Sequence, residues 1–482
     1  MIKWLFLIFV PLTFARTKPQ TFELDGLPIQ MEWFDVDGDG YSDLVALMLL
    51  TKTEGQMDTY FDGGSLRGFY HDETVKEKYL ITLLNRNGAW EEGARIDLKR
   101  ETVLGFSLRR ETTVELLLWR RDALVRHAWQ DGAWDPKQRY QTPGILATQS
   151  ASMKEFPFWQ QTRNGGFWLV PDLDGIHQVS EHGASQFIAY PELAFSDNRS
   201  GQSHRIQLAM PAFFSLDREA GPEMVFQGED RAMGWHLGES TPAFSGLAEG
   251  HLVDVNGDGM ADLVRSEEVG DIDKIKDLPK ITSRVQTFLA REPLVFPLEP
   301  DHEQILPGMI LTNGDSDIQL AEPFLDMNGD GRADMLGMAI KLSIFKMVKA
   351  AATGRLKIKF LLSLNLQKDD GSFRTLAGGP FEMIWKLNIR RLKMPEFAQL
   401  VSDFDGDGWI DIMVEKDSKV EITPVVSEGI RHDRKTTHKL PKQLREPDQV
   451  FGKDLNNDGS AEIVMIKLIG GKTRIGVLEV GK

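Results

Sequence analysis

A chain of 482 residues with 41% hydrophobic content can bury a sizeable core, either as one large repeat domain or as two to three ordinary ones. Its formal net charge of -16 argues against nucleic acid or an anionic membrane as partner, since both select clustered Lys and Arg. Cysteine is absent, so disulfides and thiol ligands are excluded.

Lys3 precedes an apolar run from Trp4 to Phe14, and Thr13-Phe14-Ala15 places small residues three and one positions before a cut. This is the pattern of a secretory signal peptide at 1–15, too short for a membrane helix of roughly 20 residues. The expected mature chain, 16–482, is then secreted or periplasmic in a bacterial extracytoplasmic route and is not an integral membrane protein.

The next element is FDVDGDGYSDLV. Asp35, Asp37, Asp39 and Asp43 occupy positions 1, 3, 5 and 9 of a short loop, with Gly38 and Gly40 between them and Tyr41 at position 7. Alternating oxygen ligands let a loop curl around one ion, and the glycines permit the positive torsions that the turn requires. Carboxylate and carbonyl oxygens without His or Cys suit Ca²⁺ better than zinc or copper. Without a cation, so many carboxylates in one loop would repel one another.

The pattern recurs in the same register. VDVNGDGMADLV supplies Asp254, Asn256, Asp258, Met260 and Asp262; LDMNGDGRADML supplies Asp326, Asn328, Asp330, Arg332 and Asp334. SDFDGDGWIDIM supplies Asp403, Asp405, Asp407, Trp409 and Asp411, and KDLNNDGSAEIV supplies Asp454, Asn456, Asp458, Ser460 and Glu462. Position 7 (Tyr41, Met260, Arg332, Trp409, Ser460) varies in type, as expected where only the backbone carbonyl is a ligand. An EF-hand would need Glu at position 12, where Ala46, Arg265, Gly337, Val414 and Met465 stand. The β-branched apolar runs that follow each loop read as strands, not helices.

Worn copies lie between the intact ones. FSLDREAGPEMV keeps Ser215, Asp217, Glu219 and Glu223; VPDLDGIHQV keeps Asp172, Asp174 and Gly175; FSLRRETTVELL has Arg109 and Glu111 at ligand positions and is expected to hold no metal. Asn87-Gly88, Asp131-Gly132 and Asp370-Gly371 read as hairpin turns. Loop starts at Asp35, Ser107, Asp172, Ser215, Asp254, Asp326, Asp403 and Asp454 are unevenly spaced, by 39 to 77 residues. The expected fold is all-β: a β-propeller of four-stranded antiparallel blades, eight in number, or seven if the Ser107 copy is spurious, closed by N- and C-terminal strands as one domain.

The D-x-[DN]-G-D-G-x-x-D repeats, with Phe451-Gly452 before the fifth, resemble the FG-GAP or VCBS repeats of integrin-α-like propellers. The resemblance implies a calcium loop between neighbouring strands of a blade, about five structural Ca²⁺ ions, and an adhesion-type protein- or glycan-binding module. Five divalent ions would offset ten charges and take -16 to -6.

Catalytic motifs fail where they begin. Ile469-Gly470-Gly471-Lys472-Thr473 lacks the first glycine of a phosphate loop, and His302-Glu303 has Leu306 where a zincin needs His. His177 and His182 read as surface or packed histidines. Two readings follow: a secreted binding module for a protein or glycan, with its surface sought in the insertions at 45–106 and 341–400, or a calcium-dependent polysaccharide lyase or hydrolase. Trp119, Trp129 and Trp134 fit either sugar stacking or core packing.

Overall fold

The computed structural model describes residues 19–480, except 52–57, 63–64, 70–74, 100, 102, 111, 121–122, 142–158, 163–164, 172–173, 181–184, 201–202, 209, 219–220, 270–277, 311–322, 342–354, 389–398 and 417. The signal peptide and His182 lie outside these.

The second strand of the first blade shows how the architecture follows from composition. Asp43–Thr51 (DLVALMLLT) is buried from Asp43 through Leu49. Leu44, Ala46 and Met48 pack with Phe451, Val464 and Ile466, while Val45, Leu47 and Leu49 pack with Val103, Leu116 and Leu118. Side chains of a strand alternate between its two faces, so this continuous apolar run feeds two neighbouring sheets at once. A strand buried on both faces reads as unbroken hydrophobicity, whereas the outer strand Ala89–Lys99 alternates and is largely exposed.

Eight antiparallel sheets built on four strands follow in chain order, making an eight-bladed β-propeller. Blade 1 contains Leu27–Phe34, Asp43–Thr51, Val75–Arg86 and Ala89–Lys99, with the hairpin Asp58–Asp62/Ser65–Phe69 added to the free edge of Leu27–Phe34. Blade 2 starts at Val103–Arg110, blade 3 at Trp159–Thr162, blade 4 at Ala212–Phe214 and blade 5 at His251–Val253. Blade 6 is built on Asp334–Lys341 and Arg355–Gln367, blade 7 starts at Gln399–Ser402, and blade 8 runs Gln449–Lys453, Glu462–Ile469 and Lys472–Leu478. The fourth strand of blade 8 is Gln20–Asp25, paired from Gln20↔Val477 to Asp25↔Lys472. Glu23 fixes that register through Lys472 (2.8 Å) and Arg474 (2.7 Å).

All five intact loops join the first and second strands of their blades, those numbered 1, 5, 6, 7 and 8. The Ser215 copy holds the same place in blade 4. Ser107 belongs to a real blade but sits inside the strand Val103–Arg110, paired with Leu117; Glu111 of the same copy lies outside the described residues. Asp172 lies outside the described residues; the flanking parts of its copy, Val170-Pro171 and Gly175 to Val179, belong to the second and third strands of blade 3, out of register with the other loops. Asn87 (φ 51°) with Gly88 (φ 88°), and Asp131 (φ 52°) with Gly132 (φ 77°), form the expected two-residue turns with positive φ at both positions. Ile469-Gly470-Gly471-Lys472 is another such hairpin turn. Trp119 and Trp134 are core residues; Trp134 Nε1 donates to Thr82 Oγ1 of blade 1 at 2.8 Å, and Trp129 stands edge-on to it.

Glutamines seal the seams between blades. The buried Gln30 of blade 1 accepts from the amide of Phe106 (2.9 Å) and donates to its carbonyl (2.7 Å), satisfying both backbone groups of a blade 2 residue. Gln304 does the same for Phe373 across blades 5 and 6 (2.6 and 3.0 Å), and Gln178 joins blade 3 to Gly238 and Glu239 of blade 4. A primary amide mimics a strand edge where no strand can reach. Gln30→Leu orphans a buried N–H and C=O and is expected to lower unfolding free energy by roughly 2–4 kcal/mol in urea titration. Gln286→Leu, which loses only an exposed contact to Glu303, is the control, and equal effects of the two would refute the seam.

Candidate metal centres

Each intact loop folds on its own position-1 and position-9 carboxylates. The amide at position 2 donates to the position-9 acid: Val36 to Asp43 (2.8 Å), Val255 to Asp262 (3.2 Å), Met327 to Asp334 (3.0 Å), Phe404 to Asp411 (2.9 Å) and Leu455 to Glu462 (2.8 Å). The position-6 glycine donates to the position-1 Asp in all five, at 2.7 to 3.3 Å. Position 7 donates to the position-5 Asp at 2.8 to 3.0 Å. Such a path needs left-handed backbone at positions 4 and 6, which glycine supplies at no steric cost. Asn457 stands at position 4 of the last loop with φ 56°, a conformation Asn tolerates.

The position-9 acids carry a second backbone bond. Asn85, Ala290, Gln367 and Val425, each just beyond or near the end of its third strand, donate to the other oxygen of Asp43, Asp262, Asp334 and Asp411 at 2.8 to 3.0 Å. These four carboxyls have no solvent exposure, and Glu462 is 6% exposed. Burial, reinforced by the neighbouring loop carboxylates and opposed by the amides, pushes Asp43 and Asp334 up to about 6 and Asp262, Asp411 and Glu462 up to about 7.

Among the described residues, three groups of acid or imidazole donors lie within 4.8 Å of one another: Asp35/Asp37/Asp39, Asp403/Asp405/Asp411, and Asp217/Glu223/His236. The first two are sequence-expected ligands. In the loops of blades 5, 6 and 8, position 3 is Asn, and Asn256, Asn328 and Asn456 accept the position-5 amide through Oδ1 at 2.9 to 3.1 Å, as Asp37 does in blade 1. Exposed arginines cap the rims: Arg86 on Asp37 and Asp39 in blade 1, Arg332 on Asp330 and Asp369 in blade 6, and Arg218 of blade 4 on Asp258 of blade 5.

The position-8 amide of every intact loop reaches into the preceding blade. Ala261 donates to Ser215 O (2.8 Å), Ala333 to Asp254 O (3.4 Å), Ile410 to Met327 O (2.8 Å), Ala461 to Asp403 O (2.7 Å) and Ser42 to Leu455 O (2.7 Å). The acceptor is always position 1 or 2 of the neighbouring loop. Blade 2 makes this contact with a side chain, since Arg110 donates to the carbonyl of Asp35.

Blade 2 meets its position-9 acid with side chains. Glu115, at position 9 of the worn copy and 3% exposed, accepts from Arg109 Nε (2.7 Å) and Arg126 Nε (2.7 Å). A buried guanidinium, Arg109, and a half-buried one, Arg126, neutralise it. Arg109 was visible as a departure from the motif; Arg126 and His236 enter from third strands, which no local spacing reveals.

No protein-family model matches the chain, and no curated protein matches it. Among solved structures it is similar, at 12% identity and a TM-score of 0.31, to the Photorhabdus luminescens Tc holotoxin pore, covering 90% of this chain and a fifth (20%) of that one. It is also similar to the WD40 domain of SCAP from fission yeast (10% identity, 96% and 95% covered, TM-score 0.35) and to the V. cholerae biofilm matrix protein Bap1 (10%, 99% and 80%, 0.25). The propeller assignment rests on the chain's own sheets.

Two outcomes are expected. Carboxyls raised above their unfolded values of about 4 keep more protons in the native state, so their stabilisation is full below that pH and is lost as pH rises through 6 to 7. Chelated protein should therefore melt at falling temperature from pH 5 to 8; buried His127 and His251, held below the usual imidazole range, oppose the trend but are fewer. A flat or rising profile contradicts the assignment. Separately, Glu115→Gln removes the carboxylate that Arg109 and Arg126 share and should cost about 3–5 kcal/mol by denaturant unfolding, with or without divalent ions.

Proposed function

We propose that the chain is an extracytoplasmic, calcium-braced propeller of the FG-GAP type that serves as a protein- or glycan-binding module. The observation that carries this reading is the shared loop geometry: five oxygen-only donor sets, each on a buried position-9 carboxylate, at equivalent places in five blades. Oxygen donors without nitrogen or sulfur fit a hard cation. The residues that would hold Ca²⁺ are the side chains at positions 1, 3, 5 and 9 and the carbonyls of Tyr41, Met260, Arg332, Trp409 and Ser460. The ion would supply charge neutralisation and loop closure.

Magnitudes support a bracing role. An ion that binds only the folded loop stabilises it by about 2.7 kcal/mol when present at a hundredfold above Kd. Several such loops together approach the net stability of a domain. Extracellular calcium modules work with Kd near 10⁻⁴ to 10⁻³ M, which agrees with a chain that has a signal-type N-terminus and no cysteine.

For the binding surface, a cleft of about 710 Å³ is lined by Glu192, Leu193, Asp230, Arg231, Met233 and Leu247 beside blade 4. Its mixture of apolar and charged groups is that of a recognition site. Leu247, 67% exposed, gives this cleft an accessible apolar wall. Trp119 and Trp134 are buried in the core and offer no sugar-stacking platform, so the lyase or hydrolase reading gains no support from them.

Chelation should lower the melting temperature by well over 10 °C and calcium should restore it, with native mass spectrometry counting five ions. Asp411→Asn should remove one ion and lower stability only in calcium. An unchanged melt on chelation would end the calcium reading. A glycan and extracellular-protein array, read for binding and for cleavage with wild type and Leu247→Asp, tests the module: loss of a binding signal in the variant supports it, and bond cleavage would favour the enzyme.

A further inference from the structure

Blade 4 departs from the other blades in its donor set, and the departure has a chemical direction. Its worn loop keeps acids at positions 3 and 9, Asp217 and Glu223, and the third strand Arg231–Trp235 delivers His236 directly after its last residue. Met224 pairs with Trp235, so His236 arrives opposite Glu223. Nδ1 of His236 stands 3.6 Å from Glu223 Oε1 and 3.9 Å from Asp217 Oδ2. Both separations exceed a hydrogen bond.

We propose that Asp217, Glu223 and His236 form a binding site for a divalent transition ion of the Zn²⁺ class, distinct in chemistry from the calcium loops and independent of them. Imidazole nitrogen selects such ions over Ca²⁺, which takes oxygen. Three donors about 2.1 Å from a tetrahedral Zn²⁺ lie roughly 3.4 Å apart, so the observed spacing closes with small side-chain movements. Water or a ligand group would fill the fourth position, since His236 is 34% exposed.

The surroundings orient the donors as metal ligands require. Glu223 is 4% exposed, and its Oε2 accepts the amide of Leu216 at 2.6 Å, which aims Oε1 at the imidazole. The Phe244 ring packs edge-on against His236 at 5.0 Å and fixes its plane. In blade 2 the equivalent position-9 acid is met by two guanidinium groups, whereas Glu223 faces an imidazole nitrogen, a donor that can join it on a metal.

The test is zinc titration of chelator-stripped full-length chain in excess Ca²⁺, against a chromophoric zinc indicator, with Co²⁺ spectra in parallel. One equivalent of zinc should bind, and His236→Gln and Asp217→Asn should each weaken it at least tenfold without altering the melt in calcium alone. The Co²⁺ absorption should show a nitrogen ligand that disappears in His236→Gln. Zinc uptake indistinguishable between wild type and both variants, or no uptake in excess calcium, overturns the proposal. Should His236→Gln fail to fold, Asp217→Asn and the wild-type Co²⁺ spectrum decide it.

Discussion

A carboxylate buried at the start of the second strand is the constraint around which this propeller is organised. That position sits at the mouth of a sheet packed on both sides, where an unpaired charge is costly. Each blade that keeps the acid therefore surrounds it with polar partners. Intact loops supply converging amides and an oxygen cage suited to a cation, blade 2 supplies Arg109 and Arg126 around Glu115, and blade 4 supplies His236 beside Glu223. These are three solutions of one electrostatic problem, and they differ in whether the counter-charge is covalently part of the chain.

The same loops join the blades. A position-8 amide lies next to the buried acid in sequence, so the force that seats the acid also aims that amide at the preceding loop's carbonyl. Bonds from Ala261, Ala333, Ile410, Ala461 and Ser42 thus run from one loop to the next around the ring. Neutralising a loop and fastening it to its neighbour are mechanically one event. The glutamine seams work elsewhere on the same interfaces, satisfying backbone groups that twisted sheets leave unpaired.

Much of this was legible because it is local. Spacing of Asp, Gly and apolar residues within twelve positions identifies the loops and the strands after them, and the count of loop starts leads to eight sheets. Locality also explains the errors. VPDLDGIHQV imitates a worn loop in composition, yet blade 3 uses it one strand later, and the short strand Trp159–Thr162 before it has no acidic marker. Ser107 looks like a loop start only because the strand has grown through it. Partners that arrive from the third strand (Asn85, Ala290, Arg126 and His236) are set by sheet register, which no one-dimensional spacing encodes. Gln30 and Gln304 are invisible for a similar reason: a polar residue in an apolar strand signals a partner without saying where it is.

The intact loops belong to blades 5, 6, 7, 8 and 1, and because Gln20–Asp25 completes blade 8 beside the first blade, these five are contiguous around the ring. The remaining blades, 2, 3 and 4, form the complementary arc, where the described counter-charges are side chains. Chain order hides this division, since blade 1 is separated in sequence from the other loop-bearing blades. A ring needs every interface, and the arc of intact loops concentrates buried carboxylates and loop-to-loop bonds on one side of the disc, while blade 2 on the other side meets its acid with arginines. Stability is then distributed unevenly by construction: the buried acids of consecutive seams on one side rest on loop amides and on bonds from loop to loop, whereas Glu115 on the other rests on its arginines.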